Sequence, residues 1–145
     1  MHNWIIGAAL AISMTGAAWA QGTEIEGVIS DQIDAFKADN FAEAFEFASP
    51  NIRGIFRTPE NFGRMVTQGY PMVWRPAEVT YLELRQENGS YWQKVQIVDA
   101  KGQVHVLDYR MLETENGWKI NGVQLLASAG VSACRSEPRR PVRRD

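Results

Sequence analysis

The sequence changes character once, near residue 71, and this change limits the fold more than any other feature. Before that point, apolar residues recur at the three- and four-residue spacing of helices. The first such stripe comprises Ile25, Val28, Ile29, Ile33 and Phe36. After it, β-branched and aromatic residues dominate four segments, which are 79–86, 91–98, 104–113 and 118–126. Helices followed by a run of strands predict an α+β domain, with N-terminal helices packed on a curved antiparallel sheet of about four strands.

Capping residues mark where the first helices begin. Thr23 and Glu26 have the spacing of a capping box, which predicts a helix over about 24–38. Asn40 and Glu43 repeat that spacing, so a second helix is expected after Asn40.

A further helix and the strand turns are also marked in the sequence. Pro59 follows a threonine, which predicts a helix over about 59–68 that Gly69 ends in a left-handed conformation. The Asn-Gly pairs at 88–89 and 116–117 suit two-residue hairpin loops, because the two residues of such a loop need positive φ angles, which Asn and Gly adopt readily. A third Asn-Gly pair, at 121–122, lies inside the last strand and predicts a bulge.

The first twenty residues have the features of an export signal. A short apolar run at 5–12 is followed by Ala18-Trp19-Ala20, which has small residues where a signal peptidase reads them. Cleavage between Ala20 and Gln21 is expected, although the segment lacks the usual basic start. The prediction is a signal peptide over 1–20, a single domain over 21–130 and a disordered tail over 131–145, in a periplasmic or secreted protein.

The distribution of charge and the single cysteine limit which binding partners and disulfides are possible. Five arginines crowd the last eleven residues, so the part of the chain before them is acidic, which argues against nucleic acid as a partner. The Arg- and Pro-rich tail is either solvated or makes weak contact with anionic lipid headgroups. The single cysteine, Cys134, excludes an internal disulfide. It is either an unpaired thiol or a site for an intermolecular disulfide.

Several motifs together resemble a family of small exported bacterial proteins, domain of unknown function four-eight-six-four. They are AFEFASPNI at 44–52, FRTPENF at 56–62, MV at 65–66, GYP at 69–71, WRP at 74–76 and GWKINGV at 117–123. The match extends over about 24–126. That family in turn resembles the nuclear-transport-factor-two-like superfamily, which includes ketosteroid isomerases and many non-enzymatic modules. The resemblance implies a cone-like α+β fold that encloses a pocket, and it implies no particular chemistry.

Catalytic motifs are scarce. After residue 20 the chain has one histidine and one cysteine, so a zinc site is not expected and no cofactor is indicated. No Gly-x-Ser-x-Gly elbow and no phosphate-binding glycine loop occur. Strand alternation places His105, Leu107, Tyr109 and Met111 on one face of the third strand, and it leaves Asp108 with Arg110 as a surface ion pair if that face points inward.

Five residues are candidates for a binding site, which are Tyr70, Trp74, Gln93, His105 and Tyr109. Three interpretations stay open. A non-enzymatic module would bind a small apolar or amphipathic ligand, or a protein partner, at these residues. A small isomerase or dehydratase would use His105 as base beside Tyr109 in a dry pocket. A homodimeric interaction protein would use an exposed sheet face as its interface.

Overall fold

The computed structural model describes residues 17–128. Within them, helices precede a meander of strands, which confirms the predicted α+β class. The helices are α1 Ala17–Lys37, α2 Phe41–Glu46, α3 Pro50–Phe56, α4 Pro59–Gly69 and α5 Pro71–Trp74. The strands are β1 Pro76–Glu87, β2 Ser90–Asp99, β3 Val104–Thr114 and β4 Gly117–Ser128. None of the helices described is long and apolar enough to cross a membrane.

Helix α1 already includes Ala17, the first described residue, so it extends beyond the predicted start near residue 24. The alanines at 17, 18 and 20 are strong helix formers and extend the helix toward the N-terminus. The prediction that Thr23 and Glu26 cap the helix is therefore wrong for this chain, because both lie within it. The bond between Ala20 and Gln21 also lies within α1. The apolar run at 5–12, Cys134 and the arginines of the tail lie outside the described residues.

The later helix starts follow the sequence signals. Asn40 accepts a hydrogen bond from the Glu43 backbone N–H, and its side-chain amide donates to the Glu43 carboxylate. At the C-terminal end of α4, Gly69 does not have the left-handed conformation that the sequence predicts, because its φ is not positive. The chain leaves α4 through Tyr70, whose φ is −132°, and enters α5 at Pro71. A proline disfavours helical geometry in the residue before it, so no left-handed glycine is needed there.

The four strands form one antiparallel sheet in the order β1-β2-β3-β4. Asn88 and Gly89 both have positive φ, 50° and 77°, as the two-residue hairpin loop requires. The β3–β4 turn differs from the prediction. Its two loop residues are Glu115 and Asn116, and only Gly117, the first residue of β4, has a positive φ.

The predicted bulge in β4 is confirmed. Pairing with β3 shifts between Gly122 and Ile120, so Asn121 has no partner in the ladder. The Ser49 hydroxyl donates to the Asn121 side-chain oxygen at 2.7 Å. The Ser49 N–H also donates to the Ile120 carbonyl, and the Ile120 N–H donates to the Phe47 carbonyl. The edge of β4 is therefore joined to the chain between α2 and α3.

The core lies between α1 and the inner face of the sheet. His105, Leu107, Tyr109 and Met111 are all buried, so the face of β3 that these residues share is the inner one. Leu107, Tyr109 and Met111 pack in one core with Val95 and Ile97 of β2 and with the buried residues Ile25, Ile29, Ile33 and Phe36 of α1. The polar residues of this face of β3, His105 and Tyr109, are therefore buried away from bulk water.

Candidate functional site

A cavity of about 240 Å³ lies between the helices and the β3–β4 half of the sheet. Four helices and two strands contribute to its wall, which is mostly apolar. Its phenylalanines are Phe36, Phe56 and Phe62, and aliphatic residues such as Val66 and Ile120 complete the apolar part of the wall. A cavity that held benzene in another protein measured about 150 Å³, so this volume suits a ligand of roughly ten non-hydrogen atoms.

Small residues and half-buried side chains explain why space remains here. Ala48 and Gly122 are wall residues with little or no side chain, and the bulge at Asn121 bends β4 beside them. The wall residues Ile52 and Met65 are only half-buried, so they form the rim on the solvent side. The space is therefore bounded by the core below and by short helices above.

Three polar side chains belong to the cavity wall, which are Gln32, Tyr70 and Tyr109. The Gln32 amide donates to the Ala44 carbonyl at 3.0 Å. The Tyr70 hydroxyl donates to the Val123 carbonyl at 3.2 Å. The Gln32 bond therefore joins α1 to α2, and the Tyr70 bond joins the end of α4 to β4.

The Tyr109 hydroxyl differs from the polar groups of Gln32 and Tyr70. Tyr109 is fully buried, and within residues 17–128 its hydroxyl has no hydrogen-bond partner. Burial raises the pKa of Tyr109, and the neighbouring Tyr81 and Tyr70 raise it further. The hydroxyl therefore stays protonated at any physiological pH and is available as a donor.

Gln93 lies directly opposite Tyr109 on the neighbouring strand and serves mainly to hold the sheet together. A bulge in β1 places Leu82 and Glu83 opposite a single residue of β2. The Gln93 amide nitrogen donates to the Leu82 carbonyl at 3.1 Å and to the Lys94 carbonyl at 2.9 Å. Its side-chain oxygen is buried and has no partner among the described residues.

His105 and Trp74 belong to a different depression at the end of the sheet, of about 360 Å³. His105 Nε2 is 2.8 Å from Asp99 Oδ2, and the hydrogen bond to His105 lowers the pKa of Asp99. Trp74 donates from its indole nitrogen to Asp39, and Arg75 stacks over the Trp74 ring at 4.2 Å. Trp74 is thus tied to the end of α1.

The structure therefore separates the predicted site residues. Tyr70 and Tyr109 share the apolar cavity, whereas Trp74 and His105 share the second depression. His105 and Tyr109 lie on one face of β3 but four residues apart, which corresponds to about 13 Å along a strand. Gln93 is in neither wall.

The predicted ion pair between Asp108 and Arg110 on the outer face of the sheet is wrong. Asp108 pairs with Arg85 and not with Arg110, and the two Arg85–Asp108 hydrogen bonds measure 2.9 and 2.5 Å. Asp108 is only 2% exposed, so this is no surface ion pair. Arg110 instead donates to the Ser90 hydroxyl. The pairing follows from the order of the sheet, because Arg85 reaches Asp108 from β1 across the strand between them.

Sequence reasoning missed Gln32 as a wall residue. It lies beside Ile33 in the buried stripe of α1 and is 3% exposed. A polar residue inside an apolar helical stripe is the signal that would have found it. Within the described chain, no group of three His, Cys, Asp or Glu side chains comes together as a metal site would need.

Comparison with family models identifies one match. The model described as Domain of unknown function (DUF4864) matches residues 18–133. The chain belongs to this family. No curated protein and no solved structure matches the chain.

Proposed function

We propose that the protein is an exported, non-enzymatic module that binds a small apolar or amphipathic ligand in the cavity between its helices and its sheet. The observation that carries the proposal is the cavity itself: about 240 Å³ with a largely apolar wall and a half-buried rim. Ligand sites in proteins are commonly concave and apolar, with a few polar groups that fix orientation. The volume is slightly below the usual range of about 300–1,000 Å³, which favours a small ligand.

An enzyme that uses His105 and Tyr109 together has less support. The two side chains belong to different depressions, and His105 Nε2 already bonds to the Asp99 carboxylate. A general base must come within hydrogen-bond reach of the proton that it removes, either directly or through one water. A separation of about 13 Å along the strand does not allow both groups to act on one small substrate.

Two tryptophan variants on α3 test the binding proposal. Ile52 lies in the cavity wall, whereas Ile55 is 69% exposed and lies outside it. Ile52→Trp should fill part of the cavity, and Ile55→Trp makes the same chemical change on the solvent side of the same helix. The probe is n-butylbenzene, which has about ten non-hydrogen atoms, the size derived from the volume. Binding is measured by isothermal titration calorimetry.

The wild-type protein and Ile55→Trp should bind n-butylbenzene equally, and Ile52→Trp should bind it at least tenfold more weakly. Urea unfolding of both variants checks that each is folded. The proposal fails if the wild type shows no binding up to the solubility of the probe. It also fails if Ile52→Trp binds as tightly as Ile55→Trp.

Export is tested separately. The sequence before residue 21 has the features of a cleaved signal. The intact mass of the protein recovered from the cell envelope or the medium should correspond to a chain that begins at Gln21. A chain that retains residues 1–20 in the cytosolic fraction would contradict the export proposal.

A further inference from the structure

Among the described residues of the cavity wall, one fully buried side-chain oxygen is left without a hydrogen bond. Gln32 donates to the Ala44 carbonyl, and Tyr70 donates to the Val123 carbonyl. Tyr109 is the third polar wall residue, and among residues 17–128 its hydroxyl meets no donor or acceptor. Buried polar groups in native proteins almost always have a partner, so an unpartnered hydroxyl at a cavity wall requires an explanation.

The charge of the wall limits what that partner can be. Among the described residues that form it, none is Asp, Glu, Lys, Arg or His. A carboxylate placed there would lose its hydration and find no cation, which is strongly unfavourable in an apolar environment. A neutral oxygen is accepted more readily, because one hydrogen bond compensates for its loss of contact with water.

We infer that the cavity selects an uncharged ligand that carries a carbonyl or ether-type oxygen, and that Tyr109 donates a hydrogen bond to this oxygen. The inference rests on the proposed binding function and specifies its ligand class. The apolar remainder of the ligand lies against side chains such as Phe62 and Val66. Gln93, whose side-chain oxygen is also unpartnered within the described chain, is not a wall residue and is assigned no contact with the ligand.

Three probes with equal numbers of non-hydrogen atoms test the ligand class. They are n-butylbenzene, which has no oxygen, propiophenone, which has a neutral carbonyl, and phenylacetate, which is charged. Equal size makes differences in affinity depend on the polar group. Each probe is titrated by calorimetry into the wild type, Tyr109→Phe and Tyr70→Phe. Tyr70→Phe is the matched control, because the Tyr70 hydroxyl already donates to Val123.

Tyr109→Phe should weaken propiophenone binding about tenfold, which corresponds to 1.4 kcal/mol. It should leave n-butylbenzene binding unchanged or stronger. Tyr70→Phe should not change the ratio of the two affinities. In the wild type, phenylacetate should bind at least tenfold more weakly than propiophenone.

The outcomes distinguish this inference from the proposed function. If n-butylbenzene and propiophenone both bind and Tyr109→Phe changes them equally, the cavity binds ligands but the role of Tyr109 is wrong. If phenylacetate binds as tightly as propiophenone, the preference for uncharged ligands is wrong. If neither neutral probe binds the wild type, both the inference and the proposed function are wrong. Urea unfolding of each variant confirms that it is folded.

Discussion

Removing the Tyr109 hydroxyl should stabilise the ligand-free protein, which is the opposite of the usual effect of such a change. The hydroxyl is fully buried and has no partner within residues 17–128. A buried polar group without a hydrogen bond costs about 1–3 kcal/mol. Phenylalanine keeps the ring and its packing and removes that cost. We therefore expect Tyr109→Phe to raise the free energy of unfolding by about 1 kcal/mol.

Tyr70→Phe provides the matched comparison on the same cavity wall. Its hydroxyl donates to the Val123 carbonyl at 3.2 Å, so the variant loses this hydrogen bond. A typical intramolecular hydrogen bond contributes about 0.5–1.5 kcal/mol, so this variant should be destabilised by about 1 kcal/mol. The two variants should differ from each other by about 2 kcal/mol, with opposite signs relative to the wild type.

Urea unfolding followed by tryptophan fluorescence measures both effects, with equal dependence on urea concentration as the check that the unfolded states are comparable. The reasoning is refuted if Tyr109→Phe is destabilised as much as Tyr70→Phe. That result would mean that the Tyr109 hydroxyl has a partner in the ligand-free protein.

Two further predictions concern pH and the sheet. Burial raises the pKa of Tyr109, so above about pH 10 the unfolded state loses this proton while the folded state keeps it. The free energy of unfolding should then fall by up to about 1.4 kcal/mol per pH unit from this group, and urea unfolding at pH 9 to 11 should show a shallower fall in Tyr109→Phe. Asp108→Ala should cost about 2 kcal/mol by urea unfolding, because Asp108 is 2% exposed and Arg85 would lose both hydrogen bonds.

Each of these two predictions has a contradicting outcome. An alkaline unfolding profile that is identical in wild type and Tyr109→Phe would mean that the Tyr109 pKa does not differ between the folded and unfolded states. For the sheet, the control is Glu83→Ala, which removes the more exposed Glu83–Lys94 ion pair and should have a much smaller effect. Equal effects of Asp108→Ala and Glu83→Ala would contradict the importance given to burial of Asp108.

Local signals in the sequence predict the order and type of the elements well. Strand alternation correctly groups Tyr109 with Leu107 and Met111 on one face, and the Asn40 cap and the Asn88-Gly89 turn are found where the sequence predicts them. Helix α1 extends beyond its predicted start near residue 24, because the alanines before Gln21 fit an export signal and are also strong helix formers.

The arrangement of the candidate site depends on contacts that are distant in sequence. The sequence predicts Tyr70 and Tyr109 as site residues, but their shared cavity depends on how four helices are arranged around β3 and β4. The pairing of Asp108 with Arg85 depends on the register of three strands. Alternation along one strand shows which face a residue occupies, and it does not show which residue lies beside it.

The central claim is that the cavity binds a small ligand, and intermolecular nuclear Overhauser effects test it most directly. Protein labelled at methyl groups is mixed with n-butylbenzene. We predict contacts from the ring protons of the probe to the methyl groups of Val66 and Ile120, which lie in the cavity wall. Contacts confined to the exposed side chains of Leu125 and Leu126, or no contacts at all, would contradict the account.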